Sequence, residues 1–130
     1  MFTIAEIKAA HAKVKSGADF PAYIKDLKSL GVTGYTTYVS DGHTLFHGAG
    51  ETHITSEAKY AALHISAETN AEKFKERLKA HQMGQTDYPT FYNDCAVTGV
   101  EKWVVDITGM TCIYYDKANN KILTEQIPQA

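Results

Sequence analysis

Three histidines and a glutamate fall within one short stretch of the sequence, where they could bind a metal ion or transfer protons. His43 and His47 are followed, past a glycine-rich bend, by Glu51 and His53. Histidine titrates near neutral pH and is a common metal ligand, and a neighbouring carboxylate can act with it in acid–base chemistry. The stretch is therefore a candidate catalytic, binding or metal site.

The predicted hairpin limits what these histidines can do together. The dipeptide Asp41-Gly42 predicts a two-residue turn, and in that register His43 and His47 share a face with Tyr38. Strand positions four residues apart are separated by about 13 Å, so the two histidines are poorly placed to share a metal, and we predict no metal site. The interpretation we favour is a half-exposed polar face of the sheet, and a binding surface of Tyr38, His43, His47 and His53 is the alternative.

Asp106 is a further candidate for acid–base chemistry. It lies in an alternating strand, on the face opposite Trp103 and directly across from Thr111. If helices cover that face, Asp106 is a buried carboxylate that needs partners. If the face is in water, Asp106 and Thr111 form an ordinary cross-strand pair. Both interpretations stay open on the sequence.

No motif that names a reaction accompanies these residues. The patterns of phosphate-binding loops, dinucleotide sites, serine hydrolases and zinc proteases are absent from the sequence. Cys95 and Cys112 fall at apolar positions, and we expect both to be reduced, buried and chemically inert. The sequence indicates no cofactor.

Composition places the chain among ordinary globular domains. Its 130 residues predict a single domain over residues 1–130. The net charge is -2, and Arg77 is the sole arginine, which is a poor profile for a nucleic-acid binder. Neither a signal peptide nor an apolar run of about 18 residues is present. We therefore expect a cytoplasmic protein that does not enter the membrane.

Capping and turn residues predict the elements that position the candidate side chains. Capping boxes of Thr3 with Glu6 and of Thr69 with Glu72 predict two helix starts, and Gly17 is expected to follow the first helix. Alternating segments rich in Tyr, Thr and Val predict the strands. The predicted fold class is α+β, an antiparallel sheet with helices.

The two halves of the sequence follow the same order of elements. Each reads helix, helix, hairpin, strand, which gives two pseudo-repeats of α-α-β-β-β order, roughly residues 1–66 and 67–130. At a constant offset of 68, the matched pairs are Asp19 with Asp87, Gly31 with Gly99, Tyr35 with Trp103 and Val39 with Ile107. Shared capping chemistry could produce part of this agreement. The gapless offset through helix, turn and hairpin favours a duplicated unit.

Several segments resemble a known family. They are His81–Pro89, Gly99–Asp106, Met110–Cys112, Tyr114–Asp116 and Glu125–Pro128, with Ser40–Gly42 in the first half. These stretches resemble small bacterial and prophage-encoded proteins of unknown function, sometimes labelled phage envelope proteins and typified by YbcV. The resemblance covers nearly the whole chain and implies relatives in bacteria and prophages. It implies no established activity and no catalytic residue.

Three functions are compatible with the sequence. We predict a non-catalytic module that binds a small molecule or a protein, because tyrosines are many and convergent ionisable groups are few. The alternatives are a small enzyme using His43, His47, Glu51 or Asp106, and a phage accessory or structural protein. A homo-oligomer is compatible with each. A deep pocket at the histidines would favour the enzyme, and a flat tyrosine-rich patch would favour a partner.

Overall fold

The computed structural model describes residues 2–14, 19–50 and 52–127 of the chain. The described residues form helices α1 (Ile4–His11), α2 (Phe20–Leu30), α3 (Ala71–Gln82) and α4 (Tyr88–Thr98), and strands β1 (Val32–Tyr38), β2 (Thr44–Gly48), β3 (His53–Thr55), β4 (Val100–Asp106), β5 (Thr111–Asp116) and β6 (Lys121–Gln126). Two helices followed by three strands therefore occur twice along the chain. The predicted fold class, α+β with two units of α-α-β-β-β order, is confirmed.

The six strands form one antiparallel sheet in the order β3-β2-β1-β4-β5-β6. Strands β1 and β4 pair at its centre, where Tyr35 lies opposite Val105 and Thr37 lies opposite Trp103. Both hairpins therefore belong to this single sheet. The first unit supplies one half of the sheet and the second unit supplies the other.

Strand pairing within the two units follows the same register. In the first unit the pairs are Tyr35 with Phe46, Thr36 with Leu45 and Thr37 with Thr44. Sixty-eight residues later the pairs are Trp103 with Tyr114, Val104 with Ile113 and Val105 with Cys112. Each hairpin also has an irregularity at the same place, between Val32 and Gly34 and between Val100 and Lys102. A common origin of the two sequences stays a prediction.

The loop of the first hairpin is longer than the predicted two-residue turn. The Tyr38 N–H donates to the His43 carbonyl at 3.0 Å, so residues 39–42 form a four-residue loop. The segment after β3 holds this loop, because the Tyr60 hydroxyl donates to the Val39 carbonyl. The register differs from the prediction by two residues, and an even shift keeps every side chain on its predicted face.

Helix α1 begins where the sequence predicts. The Thr3 hydroxyl accepts from the Glu6 N–H at 3.2 Å, and the Glu6 carboxylate accepts from the Thr3 N–H at 3.0 Å. This reciprocal pair satisfies two of the amides that a helix start leaves without partners. The helix ends at His11, and the predicted terminator Gly17 lies outside the described residues.

Helix α3 begins one residue later than its predicted capping box requires. The N-cap is Asn70, whose side-chain oxygen accepts from the Lys73 N–H at 3.1 Å, so the box of Thr69 with Glu72 is wrong. Thr69 instead donates its hydroxyl to Asp116 on β5 at 3.3 Å. A tertiary hydrogen bond takes the threonine, and the adjacent asparagine serves as the cap.

The helices cover one face of the sheet and leave the other open. Inward-facing strand side chains that are buried include Tyr35, Phe46, Trp103 and Tyr114. Side chains on the opposite face are half-buried or exposed, among them Leu45, His47, Val104, Asp106 and Ile113. No helix in the described part of the chain is both long and apolar enough to span a bilayer.

Candidate functional site

The sequence-predicted candidates lie on the open face of the sheet. There, His43 stacks on Tyr38 with ring centroids 4.4 Å apart. Its Nδ1 lies 2.5 Å from the Asp41 carboxylate, which also accepts the His43 backbone N–H at 3.0 Å. The backbone hydrogen bond, followed by the side-chain one, lowers the pKa of Asp41. These three residues form a local group at the hairpin loop.

The remaining candidates are distributed along the same face. His47 of β2 lies directly across from His53 of β3, and both are exposed. Gly34 of β1 lies between His47 of β2 and Asp106 of β4. Asp106 is exposed, and its carboxylate accepts a hydrogen bond from the Gly109 N–H at 3.1 Å. Glu51 lies outside the described residues.

Asp106 lies across from Thr111, as the sequence predicts. Because the face is open, the exposed cross-strand pair is the interpretation that applies. In residues 2–14, 19–50 and 52–127, no group of three or more His, Cys, Asp and Glu side chains could hold a metal ion.

A cavity of about 430 Å³ lies on the opposite face of the sheet, beneath the helices. None of Tyr38, His43, His47, His53 and Asp106 lines it. Equivalent aromatic residues of the two units supply much of its wall, namely Tyr23, Tyr35 and Phe46 from the first and Phe91, Trp103 and Tyr114 from the second. The cavity is therefore a joint product of both units.

The same local structure positions these rings in each unit. Helices α2 and α4 both carry proline in the first turn and both end at a glycine with positive φ, +96° at Gly31 and +90° at Gly99. Glycine adopts this left-handed conformation without the steric cost of a Cβ, and the chain turns directly into a strand. The helix rings then contact the strand rings at 6.4 Å for Tyr23–Tyr35 and 5.7 Å for Phe91–Trp103.

Four tyrosines form a polar group within this aromatic wall. The rings of Tyr23 and Tyr35 are 6.4 Å apart and those of Tyr88 and Tyr92 are 6.3 Å apart, while His11 lies 5.3 Å from Tyr23 and 5.8 Å from Tyr88. Burial is the main cause of a raised pKa in all four tyrosines. Their hydroxyls therefore stay protonated and can donate hydrogen bonds.

These hydroxyls form no hydrogen bond to the described residues. No fully enclosed side-chain nitrogen or oxygen in that part of the chain lacks a partner, so the four hydroxyl oxygens must reach accessible space. For Tyr35, which is only 5% exposed and lines the cavity, that space is the cavity itself. Such a wall offers hydrogen-bond donors to a bound molecule.

Charged residues complete the cavity, and they differ between its two sides. Lys59 lies beside His11 and Phe46 of the first unit, and it takes part in no ion pair among the described residues. Glu125 lies on the second unit's side, where it accepts hydrogen bonds from Gln82 at 3.2 Å and from the Tyr114 hydroxyl at 3.3 Å. One side of the cavity is thus cationic and the other anionic.

Neutral groups dominate the remaining polar lining. Burial lowers the pKa of His11, and the positive charge of Lys59 lowers it further. Burial also lowers the pKa of His81. Burial raises the pKa of the Cys112 thiol to about 12, and Cys95 is a second free, buried cysteine. The prediction that both cysteines are buried is confirmed. Burial therefore favours the neutral forms of these imidazole and thiol groups.

Sequence reasoning missed this cavity because its residues follow ordinary core periodicity. One signal was available, since Tyr23, Tyr35, Tyr92 and Tyr114 all occupy inward positions. A buried tyrosine hydroxyl needs a partner or a wet space. Repeated tyrosine at core positions therefore indicates a cavity.

Residues 8–126 match the model of a family described as a protein of unknown function (DUF1398). No curated protein matches the sequence. The matched segment runs from α1 to the end of β6 and so includes both units and nearly all of the cavity wall. The chain therefore belongs to the DUF1398 family, whose function is not known.

Proposed function

We propose that this protein is a non-catalytic domain that binds a small aromatic molecule in the cavity between its two units. The observation that carries the proposal is the aromatic wall, to which Tyr23, Tyr35 and Phe46 contribute from one unit and Phe91, Trp103 and Tyr114 from the other. Small-molecule sites are apolar concavities with a few placed polar groups. Aromatic side chains favour stacked and edge-on contacts with a planar ligand.

The volume of the cavity supports a ligand of modest size. About 430 Å³ lies in the range of roughly 300–1,000 Å³ that small-molecule sites occupy. The chemistry of the lining supports binding over catalysis, because Cys112 is held as a thiol and the hydroxyls of Tyr23 and Tyr35 are held as phenols. The thiol and the phenols therefore cannot act as general bases near neutral pH.

Trp103 provides a direct test, because it is the sole tryptophan and it lines the cavity. A set of small planar compounds is screened by thermal shift, and those that raise the melting temperature are titrated while tryptophan emission is followed. A ligand at 100 times its dissociation constant stabilises the folded state by about 2.7 kcal/mol. We expect both the melting temperature and the emission to change at the same ligand concentration.

Leu78→Phe is the matched blocking variant, because Leu78 is buried and lines the cavity. Ile113→Phe adds the same kind of ring on the open face and serves as its control. We expect the first variant to bind the screened compound weakly and the second to bind it normally. Equal affinity of the two variants for the compound, or tryptophan emission that does not change when the compound is added, would contradict binding in the cavity.

A second candidate function is a small enzyme that uses acid–base chemistry on the open face. It is supported by the contact between His43 Nδ1 and Asp41, since a carboxylate that fixes one ring nitrogen leaves the other available for proton transfer. His47, His53, Glu51 and Asp106 are the other candidates for that site. Replacement of His43 by glutamine would abolish such an activity and leave ligand binding in the cavity unchanged.

The resemblance to YbcV-like proteins supports an origin of the protein in a bacterium or a prophage. We propose a single cytoplasmic domain, and the repeated order of elements supports an origin by duplication of one unit. The shared register of the two hairpins is the strongest support for that origin. A role as a phage accessory or structural protein is the third candidate, tested by searching purified particles for the protein.

A further inference from the structure

We propose that the ligand of the cavity is an aromatic carboxylate, with its carboxylate held by Lys59 and the tyrosine hydroxyls on the first unit's side. This inference rests on the proposed function and specifies the chemical class of the ligand. It stands on three features of the cavity wall: its hydroxyl donors, its cation and the position of its carboxylate.

The first feature is the set of tyrosine hydroxyls that form no hydrogen bond to the described residues. Tyr23 and Tyr35 belong to the first unit, Tyr88 and Tyr92 to the second, and all four line one cavity. Phenol donates a single hydrogen bond, so several phenols around one space are complementary to an oxygen with multiple lone pairs. A carboxylate has two such oxygens and makes shorter, stronger hydrogen bonds than a neutral carbonyl.

The second feature is Lys59, a cation at the cavity wall that takes part in no ion pair in the described part of the chain. His11, Tyr23, Phe46 and Lys59 line both the main cavity and a smaller adjoining one, so the lysine lies in the corner where Tyr23 presents its ring. A ligand anion in this corner would gain a charge partner and at least one phenol donor. Lys59 is an exposed residue, so this pair would form where the cavity meets solvent.

The third feature is Glu125, which determines the orientation. Its carboxylate already accepts from Gln82 and from the Tyr114 hydroxyl, and it repels a second anion. The aromatic body of the ligand is therefore expected toward Phe91, Trp103 and Tyr114, with the carboxylate toward Lys59. Lys59 and Glu125 together determine the orientation of the ligand, which the aromatic wall alone does not determine.

The test compares 2-naphthoate with 2-naphthamide, which has the same rings and a neutral polar group. Binding of each to the full-length protein is measured by calorimetry. A hydrogen bond to a charged group contributes about 1.5–3 kcal/mol, so we expect the carboxylate to bind roughly 10- to 100-fold more tightly than the amide.

Two variants locate the interaction, each with a matched control. Lys59→Met removes the charge and keeps an unbranched side chain, and we expect it to weaken naphthoate about 2- to 5-fold, as for an exposed ion pair, while leaving naphthamide unchanged. Lys79→Met, on an exposed part of α3, should change neither. Tyr35→Phe removes one hydroxyl and should weaken naphthoate about 2- to 10-fold, whereas Tyr38→Phe on the open face should have no effect.

The outcomes separate this inference from the proposed function. If the two compounds bind with equal affinity and Lys59→Met changes neither, the carboxylate assignment is overturned and aromatic binding stands. If neither compound binds to the folded wild-type protein, both the assignment and the aromatic binding are overturned.

Discussion

Equivalent glycines at the ends of α2 and α4 should tolerate alanine to very different degrees. Gly31 and Gly99 have φ of +96° and +90°, so alanine introduces the same left-handed strain at each, about 1–2 kcal/mol. A Cβ at Gly31 meets no atom within 4 Å, but a Cβ at Gly99 would lie 2.7 Å from the Glu68 carbonyl oxygen and 3.0 Å from the Thr69 Cα. These are backbone atoms, which cannot rotate away.

The added contact should make Gly99→Ala the more damaging variant. Forcing atoms into a packed site typically costs about 1–3 kcal/mol, so we expect Gly99→Ala to lose that much more stability than Gly31→Ala. Urea denaturation gives both free energies of unfolding, and Gly50→Ala, with φ of +69° and no atom within 4 Å, is a second control. Equal losses at Gly31 and Gly99 would refute the close approach of the chain at residues 68–69 to α4.

Three further predictions concern the buried and ionisable groups. Cys95 and Cys112 are buried, so a thiol reagent should modify them only after denaturant is added; rapid labelling of both in native protein would contradict this. Burial lowers the pKa of His81, so below the ordinary histidine pKa of about 6.5 the unfolded chain binds more protons than the folded one. The free energy of unfolding should therefore decrease as the pH is lowered from 7 to 5. Denaturation curves of His81→Asn at these two pH values should show a smaller decrease. Elemental analysis should find no stoichiometric zinc, and a chelator should not shift the melting temperature; one zinc per chain would overturn that expectation.

The sequence predicted the sheet better than it predicted the loops. Alternation assigns side chains to faces, and a hairpin shifted by two residues preserves that assignment, so Tyr38 and His43 share the predicted face despite a longer loop. The loop itself depends on Tyr60, which is distant in sequence and donates to the Val39 carbonyl. Turn propensity depends only on neighbouring residues, so it does not predict a contact with a residue distant in sequence.

The cavity was harder to predict than the sheet for a related reason. Periodicity places Tyr35 and Trp103 in the core, and both are buried, at 5% and 8% exposure. Whether facing rings close together or leave a space depends on how the two units pack. That packing depends on the pairing of β1 with β4, which joins segments far apart in the chain. The polar residues of the open face were visible to sequence patterns because exposed charge needs no tertiary partner.

The pairing of β1 with β4 has the symmetry of an interface between two identical subunits. Tyr35 pairs with Val105 and Thr37 pairs with Trp103. Because Tyr35 is equivalent to Trp103 and Thr37 to Val105, each contact recurs with the two units exchanged, as in an isologous dimer. Here a single chain carries both partners, and the interface does not depend on protein concentration. A true homodimer must also present the same side chains on both sides of its axis. One chain is free of that constraint, and a cavity across its axis can place lysine on one side and glutamate on the other.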